Sequence, residues 1–253
     1  MESIRKVDVY GLPVWHVSVD ELCDLISDWS ERGEGHWIAT LNLDYLARCR
    51  RDKSFHELLS KADVFTADGM PVLWACRQMD ASYQGLDRTT GADLTPKLLK
   101  LVDPSRVAIV GGADPKAALQ KLNLDPGGYF IFDGQVQLDA EWAKDLASQI
   151  GSRPIVFVAL GCPKQEKMIA LLQPHMPHAV FVAVGGSFEM IAGITTRAPQ
   201  WMQKAGFEWL YRLAIEPKRL WRRYLLEYPP GAMALYRTIK DARRASSSKL
   251  PPS

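Results

Sequence analysis

The sequence predicts an α/β fold: a Rossmann-like, mostly parallel sheet with helices on both faces, an N-terminal β-hairpin and a C-terminal helical appendage. Three observations predict it. Short apolar runs alternate with segments of helical period, which is the pattern of a parallel sheet covered on both sides. Glycines and short polar residues recur where the apolar runs end. In the last fifth of the chain the strand pattern stops and only helical periodicity remains.

Val7–Val19 reads as the hairpin, because Val7 and Val9 alternate on one side of Gly11-Leu12-Pro13 and Val14, Val17 and Val19 on the other. Parallel strands are expected at His36–Thr40, Val64–Ala67, Val107–Val110, Tyr129–Phe132, Ile155–Leu160 and Val180–Val184. Helices are expected at Leu43–Arg51, Phe55–Lys61, Pro71–Gln78, Ala92–Val102, Pro115–Leu122, Ala140–Ile150 and Lys164–Leu172. This divides the chain into an α/β domain over residues 1–196, a basic-aromatic appendage over 197–245 and a disordered tail over 246–253.

The appendage differs from the body in charge. Residues 201–253 hold 11 Lys+Arg against 4 Asp+Glu, which leaves 20 against 25 in residues 1–200. Glu216-Pro217 opens a helix and Pro229-Pro230-Gly231 stops it. On an α-helical wheel Arg219, Arg222 and Arg223 form one stripe, and Trp221, Tyr224, Leu225 and Tyr228 form another on roughly the opposite face. Two readings of that pattern stand: a core-packed helix with solvated arginines, or a surface that meets phosphate or an anionic membrane.

Several classes lose support. The longest apolar runs, Ile155–Leu160 and Ala179–Val184, are far short of a membrane span, and no signal-peptide pattern opens the chain. Cys23, Cys49, Cys76 and Cys162 form no C-x-x-C pair, which argues against disulfides and thiolate metal sites. The chain is therefore expected in the cytoplasm, with membrane contact limited to a surface. Prolines interrupt His175 and His178, so no helical metal-ligand pair arises there. No G-x-G-x-x-G or P-loop pattern occurs, which weakens a nucleotide-dependent oxidoreductase. A nucleic-acid binder would use the basic tail, but no nucleic-acid module accompanies it. A non-catalytic membrane scaffold stays open.

In a parallel α/β sheet, ligands bind beyond the carboxyl ends of the strands. Thr40 and Asn42, Asp68-Gly69, Gly111-Gly112, Asp133-Gly134, Gly161 through Glu166, and Gly185-Gly186 all fall at that edge. The glycine pairs and Gly161, with Asp133 and Lys164, are candidates to hold a nucleotide through backbone N–H groups and charge. Asp68 is the candidate general base, since a carboxylate at a strand end could take a proton from an attacking hydroxyl. Its structural alternative is a cap on the helix that Pro71 opens. No D-x-D pair is present, so a leaving diphosphate would have to be neutralised by arginines such as Arg88, Arg212, Arg219, Arg222 and Arg223.

These residues together resemble a known family. Thr40-Leu41-Asn42, Ala62-Asp63 through Asp68-Gly69, Gly161-Cys162-Pro163-Lys164-Gln165-Glu166, Arg197-Ala198-Pro199, Glu208-Trp209-Leu210-Tyr211-Arg212-Leu213 and Glu216-Pro217-Lys218-Arg219 occur in order. They resemble the bacterial WecG/TagA/CpsF glycosyltransferases. The resemblance implies an inverting, metal-independent enzyme with no cofactor. It would move N-acetylmannosamine, its uronic acid or a related hexose from a UDP-sugar to a polyprenyl-diphosphate-linked saccharide, at the inner face of the bacterial membrane. The polymer would be a teichoic acid, a common antigen or an exopolysaccharide. By the same resemblance Asp68 is the base, and Thr40, Asn42, Arg88 and Gln165 are active-site polar groups. Arg212, Arg219 and Arg222 resemble the appendage arginines that would close over the diphosphate. The resemblance also implies that the appendage would order on the membrane as a soluble oligomer becomes an active monomer.

Overall fold

The structure, a computed structural model, describes residues 4–247. β1 (Lys6–Val9) and β2 (Leu12–Trp15) form the expected antiparallel hairpin, but the turn is Tyr10-Gly11. Both turn residues have positive φ, 60° and 80°, the conformation whose twist matches paired strands. Pro13 lies within β2 rather than in the turn, and Val19 begins a helix rather than ending a strand.

That helix, α1 (Val19–Arg32), is absent from the expected set. Its signals are local. Ser18 accepts from the Glu21 backbone N–H while the Glu21 carboxylate accepts from Ser18, a capping box. Leu22, Cys23, Ile26 and Trp29 then fall on one buried face.

The chain continues as β3 (His36–Leu41), α2 (Leu43–Arg51), α3 (Lys53–Leu59), β4 (Val64–Ala67), α4 (Met70–Met79) and α5 (Gly91–Leu101). Next come β5 (Val107–Gly111), α6 (Pro115–Lys121), β6 (Phe130–Phe132), α7 (Ala140–Ile150), β7 (Ile155–Ala159), α8 (Lys164–Leu172), β8 (Val180–Ala183) and α9 (Ser187–Ala192). The eight strands make one sheet in the order β1-β2-β4-β3-β8-β7-β5-β6, parallel throughout except for β1. Every residue of β4, β5, β7 and β8 is buried, as a sheet covered on both faces requires. Alternation then divides the core. Val156, Val158, Phe181 and Ala183 face the layer that contains α2, α3, α4, α7 and α8. Ile155, Phe157, Val180 and Val182 face α1, α5, α6 and α9.

Four further helices follow: α10 (Gln200–Lys204), α11 (Glu208–Ile215), α12 (Pro217–Arg222) and α13 (Pro229–Ser247). Here the expected organisation needs correction. A π-helical turn over Arg223–Glu227 separates α12 from α13, so a wheel drawn at α-helical period misplaces the residues after 222. Pro229-Pro230 does break the preceding helix, but it also opens the 19-residue α13. Gly231 lets α13 lie close to α2: a Cβ there would sit 2.5 Å from the Leu43 carbonyl oxygen. Ala234 and Leu235 of α13 are buried against the body. Ser246 and Ser247, expected in the tail, end this helix, and residues 248–253 lie outside the described part of the chain.

Candidate active site

The carboxyl ends of β3, β4, β7 and β8 open into two adjoining cavities, of about 970 Å³ and about 260 Å³. Asn42, Asp68 and Arg223 line both. The larger is bounded by the body on one side, through Gly69, Arg88, Gly186 and Glu189, and by the C-terminal helices on the other, through Glu208, Trp209, Arg212, Tyr224 and Tyr228. The smaller holds Thr40, Asp44, Tyr45, Arg48, Gly161, Cys162, Gln165 and Gly185.

Local hydrogen bonding sets the floor of the cleft. β3 ends at Leu41, and the next residue, Asn42, caps α2: its side-chain oxygen accepts from the N–H groups of Asp44 (3.0 Å) and Tyr45 (3.2 Å). With the oxygen so engaged, its amide nitrogen points across to β4 and donates to Asp68 Oδ2 at 3.3 Å. Asp68 does not cap α4. The cap position is Gly69, at φ 94°, where a side chain would be strained, and no side chain bonds the α4 N-terminus. The Asp68 carboxylate is thus left facing the cleft. Surrounding protein lifts its pKa from the ordinary 3.8 to about 6, chiefly by desolvation. The Asn42 hydrogen bond and the charges of Arg88 and Arg212 pull the other way, while Glu208 adds to the rise. Asp63, at the opposite end of β4, accepts from the Trp37 N–H at 2.7 Å and is structural.

Arg88 is carried by a loop stitched to the sheet on both sides of its neighbour: the Thr89 N–H donates to Ala67 O, its hydroxyl donates to Val17 O, and its carbonyl accepts from Thr66. The guanidinium pairs with Glu208 at 3.0 Å. Arg212, one helical turn beyond Glu208, pairs with the other oxygen of the same carboxylate at 3.2 Å. Arg223 reaches inward and pairs with Asp44 at 3.3 Å, with its guanidinium 5.6 Å from the centre of the Tyr228 ring. Of the cationic stripe, Arg223 therefore meets Tyr224, Leu225 and Tyr228 of the aromatic stripe in the larger cavity. Arg222 is exposed and lines neither cavity, and the side chain of Arg219 lies outside the described residues.

Gln165 sits on the floor as a strut. Its amide nitrogen donates to the Tyr45 hydroxyl at 2.7 Å, and its oxygen accepts from the Gly185 N–H at 3.0 Å. The Tyr45 hydroxyl donates in turn to Glu166, a fully buried carboxyl whose pKa burial pushes up. This network ties α2, α8 and the loop after β8 into one unit. Thr40, buried near the end of β3, lines the smaller cavity beside it.

The expected nucleotide-binding set divides. Gly161 and Gly185 line the smaller cavity and Gly186 the larger. Gly111, Gly112, Asp133 and Lys164 line neither. Gly111 and Gly112 serve close packing: a Cβ on Gly111 would sit 2.9 Å from the Ala159 carbonyl oxygen, and the Gly112 N–H donates to that same oxygen. Asp133 pairs with Lys116 at 3.3 Å, on the far side of the sheet next to β6. Lys164 is exposed at the start of α8. Sequence reading gave no role to Asp44, Arg48, Tyr45 or Glu189, which the fold brings to these cavities through contacts remote in the chain. Among the described residues no group of three or more His, Cys, Asp or Glu is arranged to hold a metal ion.

Residues 7–245 match the family described as "Glycosyl transferase WecG/TagA/CpsF family". The chain belongs to this family. As a glycosyltransferase it is similar to the N-acetylglucosaminyldiphosphoundecaprenol N-acetyl-beta-D-mannosaminyltransferase of Bacillus subtilis (strain 168), with 28% identity over 245 residues that cover 93% of each chain. The glycosyltransferase family match takes in both the α/β body and most of the C-terminal helices, so the residues on both sides of the cleft lie within it.

Proposed function

We propose that the protein transfers N-acetylmannosamine or a closely related hexose from a UDP-sugar to a polyprenyl-diphosphate-linked saccharide, with inversion and without a divalent metal ion. The observation that carries this reading is the placement of Asp68 and three arginines, Arg88, Arg212 and Arg223, around one cavity at the carboxyl edge of the sheet. Asp68 accepts the proton of the acceptor hydroxyl as that oxygen bonds to the sugar C1. The bond from C1 to the diphosphate oxygen breaks on the opposite face, and the electron pair leaves with UDP. A carboxylate with a pKa of about 6 is largely ionised at neutral pH yet basic enough to take a proton. Arg88 and Arg212 stabilise the charge that develops on the departing diphosphate. The acceptor class rests on the name of the Bacillus subtilis relative, which acts on an undecaprenol-linked sugar.

A lipid-linked acceptor places the cleft at a membrane surface. No helix among the described residues is long and apolar enough to cross a membrane. Trp201, Phe207, Trp209, Trp221, Leu225 and Leu226 are all exposed on the helices that cover the cleft, and interfacial binding through them and the neighbouring cations is the corresponding proposal.

The test is to offer purified protein a panel of UDP-sugars with a synthetic lipid-diphosphate acceptor, in the presence and absence of EDTA, and to read product mass and anomeric configuration. Transfer with inversion that survives EDTA is expected. Retention of configuration, or complete loss of transfer restored by magnesium or manganese, would refute the mechanism.

A further inference from the structure

Glu208 is the first residue of α11, and its carboxylate is shared between two guanidiniums from different parts of the molecule. Oε2 lies 3.0 Å from Arg88 of the body and Oε1 lies 3.2 Å from Arg212 one turn along the same helix. All three residues line the larger cavity with Asp68. Glu208 and Arg88 are only 16% and 13% exposed, so solvent screens their attraction weakly. Two acceptor oxygens bridging two arginine forks is the arrangement that a phosphate group would make with the same pair.

Resting on the diphosphate reading above, we propose that Glu208 is an internal stand-in for the donor's diphosphate: a positioning residue that holds Arg88 and Arg212 toward one another and yields them to phosphate oxygens when the donor binds. The exchange keeps both guanidiniums paired before and after binding and shifts the loss of partners to the Glu208 carboxylate, a cost that is set against donor and product binding. It also makes the carboxylate a competitor of the product. UDP must hold the arginines against Glu208, so the chain gives up ground-state affinity for the nucleotide and releases it faster. Glu208 has a second electrostatic effect, on Asp68. Charged or titratable groups that act on that carboxyl include Arg88, Arg197, Arg212, Tyr228 and Glu208, with Asn42 as its hydrogen-bond donor, and Arg223, Asp44, Glu189 and Glu216 line the same cavities. Among these, Glu208 is the carboxylate whose charge raises the Asp68 pKa.

The experiment is calorimetric titration of UDP into the full-length wild type, Glu208→Gln and Glu208→Ala, together with the pH dependence of kcat/KM. Glu208→Gln preserves size and tests the charge; Glu208→Ala removes the bridge altogether. Both variants are expected to bind UDP about three- to tenfold more tightly. Their acid limb should move to lower pH, because loss of a neighbouring negative charge favours ionised Asp68. Their kcat should fall more than kcat/KM as product leaves more slowly. Unchanged or weaker UDP binding, or an unmoved acid limb, would overturn the proposal and leave Glu208 as a fastener between α11 and the body. A wild type that binds neither UDP nor inorganic pyrophosphate would overturn the diphosphate reading and this inference together; normal wild-type binding with unresponsive variants would remove this inference alone.

Discussion

The two sides of the cleft are built differently. The floor consists of strand ends and the loops directly after them, and its polar groups are fixed by backbone hydrogen bonds: Asn42 by the N-terminus of α2, Gln165 by Gly185, and the Arg88 loop by Ala67 and Val17. The cover before α13 is attached largely through charge, whereas α13 packs on α2 through Gly231, Ala234 and Leu235. Arg197 makes two contacts with Asp93, Glu208 pairs with Arg88, Arg223 pairs with Asp44, and Arg51 donates to the carbonyls of Leu226 and Glu227. Among the described side chains of α10, α11 and α12, Leu220 alone is buried. A rigid floor keeps the reacting groups aligned, which proximity catalysis requires. A cover joined by ion pairs can open for a bulky acceptor where ligand oxygens or water replace the partners that are lost.

Asp68→Asn tests the floor and should have the largest effect. Transfer is expected to fall by about 10³-fold or more, with UDP binding retained, as initial rates and calorimetry would show. In the wild type, kcat/KM should decline as pH drops below about 6, and that limb should vanish from the residual activity of the variant. The same substitution should stabilise the fold. The folded-state pKa lies above the ordinary 3.8, so native Asp68 favours its protonated form. The stability that protonation contributes is complete below pH 3.8 and is lost as pH rises through about 6. At neutral pH the half-buried, desolvated carboxylate therefore costs on the order of 1–3 kcal/mol, which Asn avoids, so the variant should melt higher at pH 7.5 and not at pH 3.5. A variant that melts lower at both values would show that Asp68 supports the fold rather than reactivity.

Arg212→Ala tests the cover from within the cleft. A loss of about 10²-fold in kcat is expected, by analogy with removal of one charge-stabilising donor, and Arg212→Lys should recover part of it. An equal loss confined to KM would assign Arg212 to ground-state binding instead. Gly231→Ala addresses the seam between cover and floor. Its Cβ would press on Leu43 O and lie 3.1 Å from Ala47 N, which should cost about 1–3 kcal/mol in denaturant unfolding. Arg222→Ala should do least: the side chain is exposed and outside both cavities, so soluble-acceptor turnover should stay within about twofold, with any deficit appearing in vesicle binding.

What was legible in the sequence follows the same division. The parallel strands, and the edge of the sheet where the cavities lie with Asp68 and Asn42 in them, could be read because each is encoded by a short local pattern and by the rule that ligands lie beyond strand ends. Helix α1 was missed although Ser18, Glu21 and the Leu22, Cys23, Ile26, Trp29 face spell it out; the alternating valines before it drew Val17 and Val19 into a strand. Gly111 and Gly112 read as a phosphate cradle because glycine at a strand end signals close approach, but the groups that approach them are the Ala159 backbone at Gly111 and the Phe188 side chain at Gly112. The pairing of Arg223 with Asp44, 179 positions apart in the chain, leaves no periodic trace. Nor does a π-helical turn announce itself, and without it Arg223 separates on paper from Tyr224, Leu225 and Tyr228, with which it lines the larger cavity.

Asn42 performs two tasks with the two ends of one amide, and this narrows what drift can do at that position. Serine or threonine would still terminate α2 but could not reach across to the neighbouring strand. Aspartate would also terminate the helix, yet it would set one anion against another. Glutamine has the right groups on a stem too long for both partners at once. Selection on chain stability and selection on turnover therefore point to the same residue, so relatives that depart from it should carry a compensating change opposite, at the carboxylate itself.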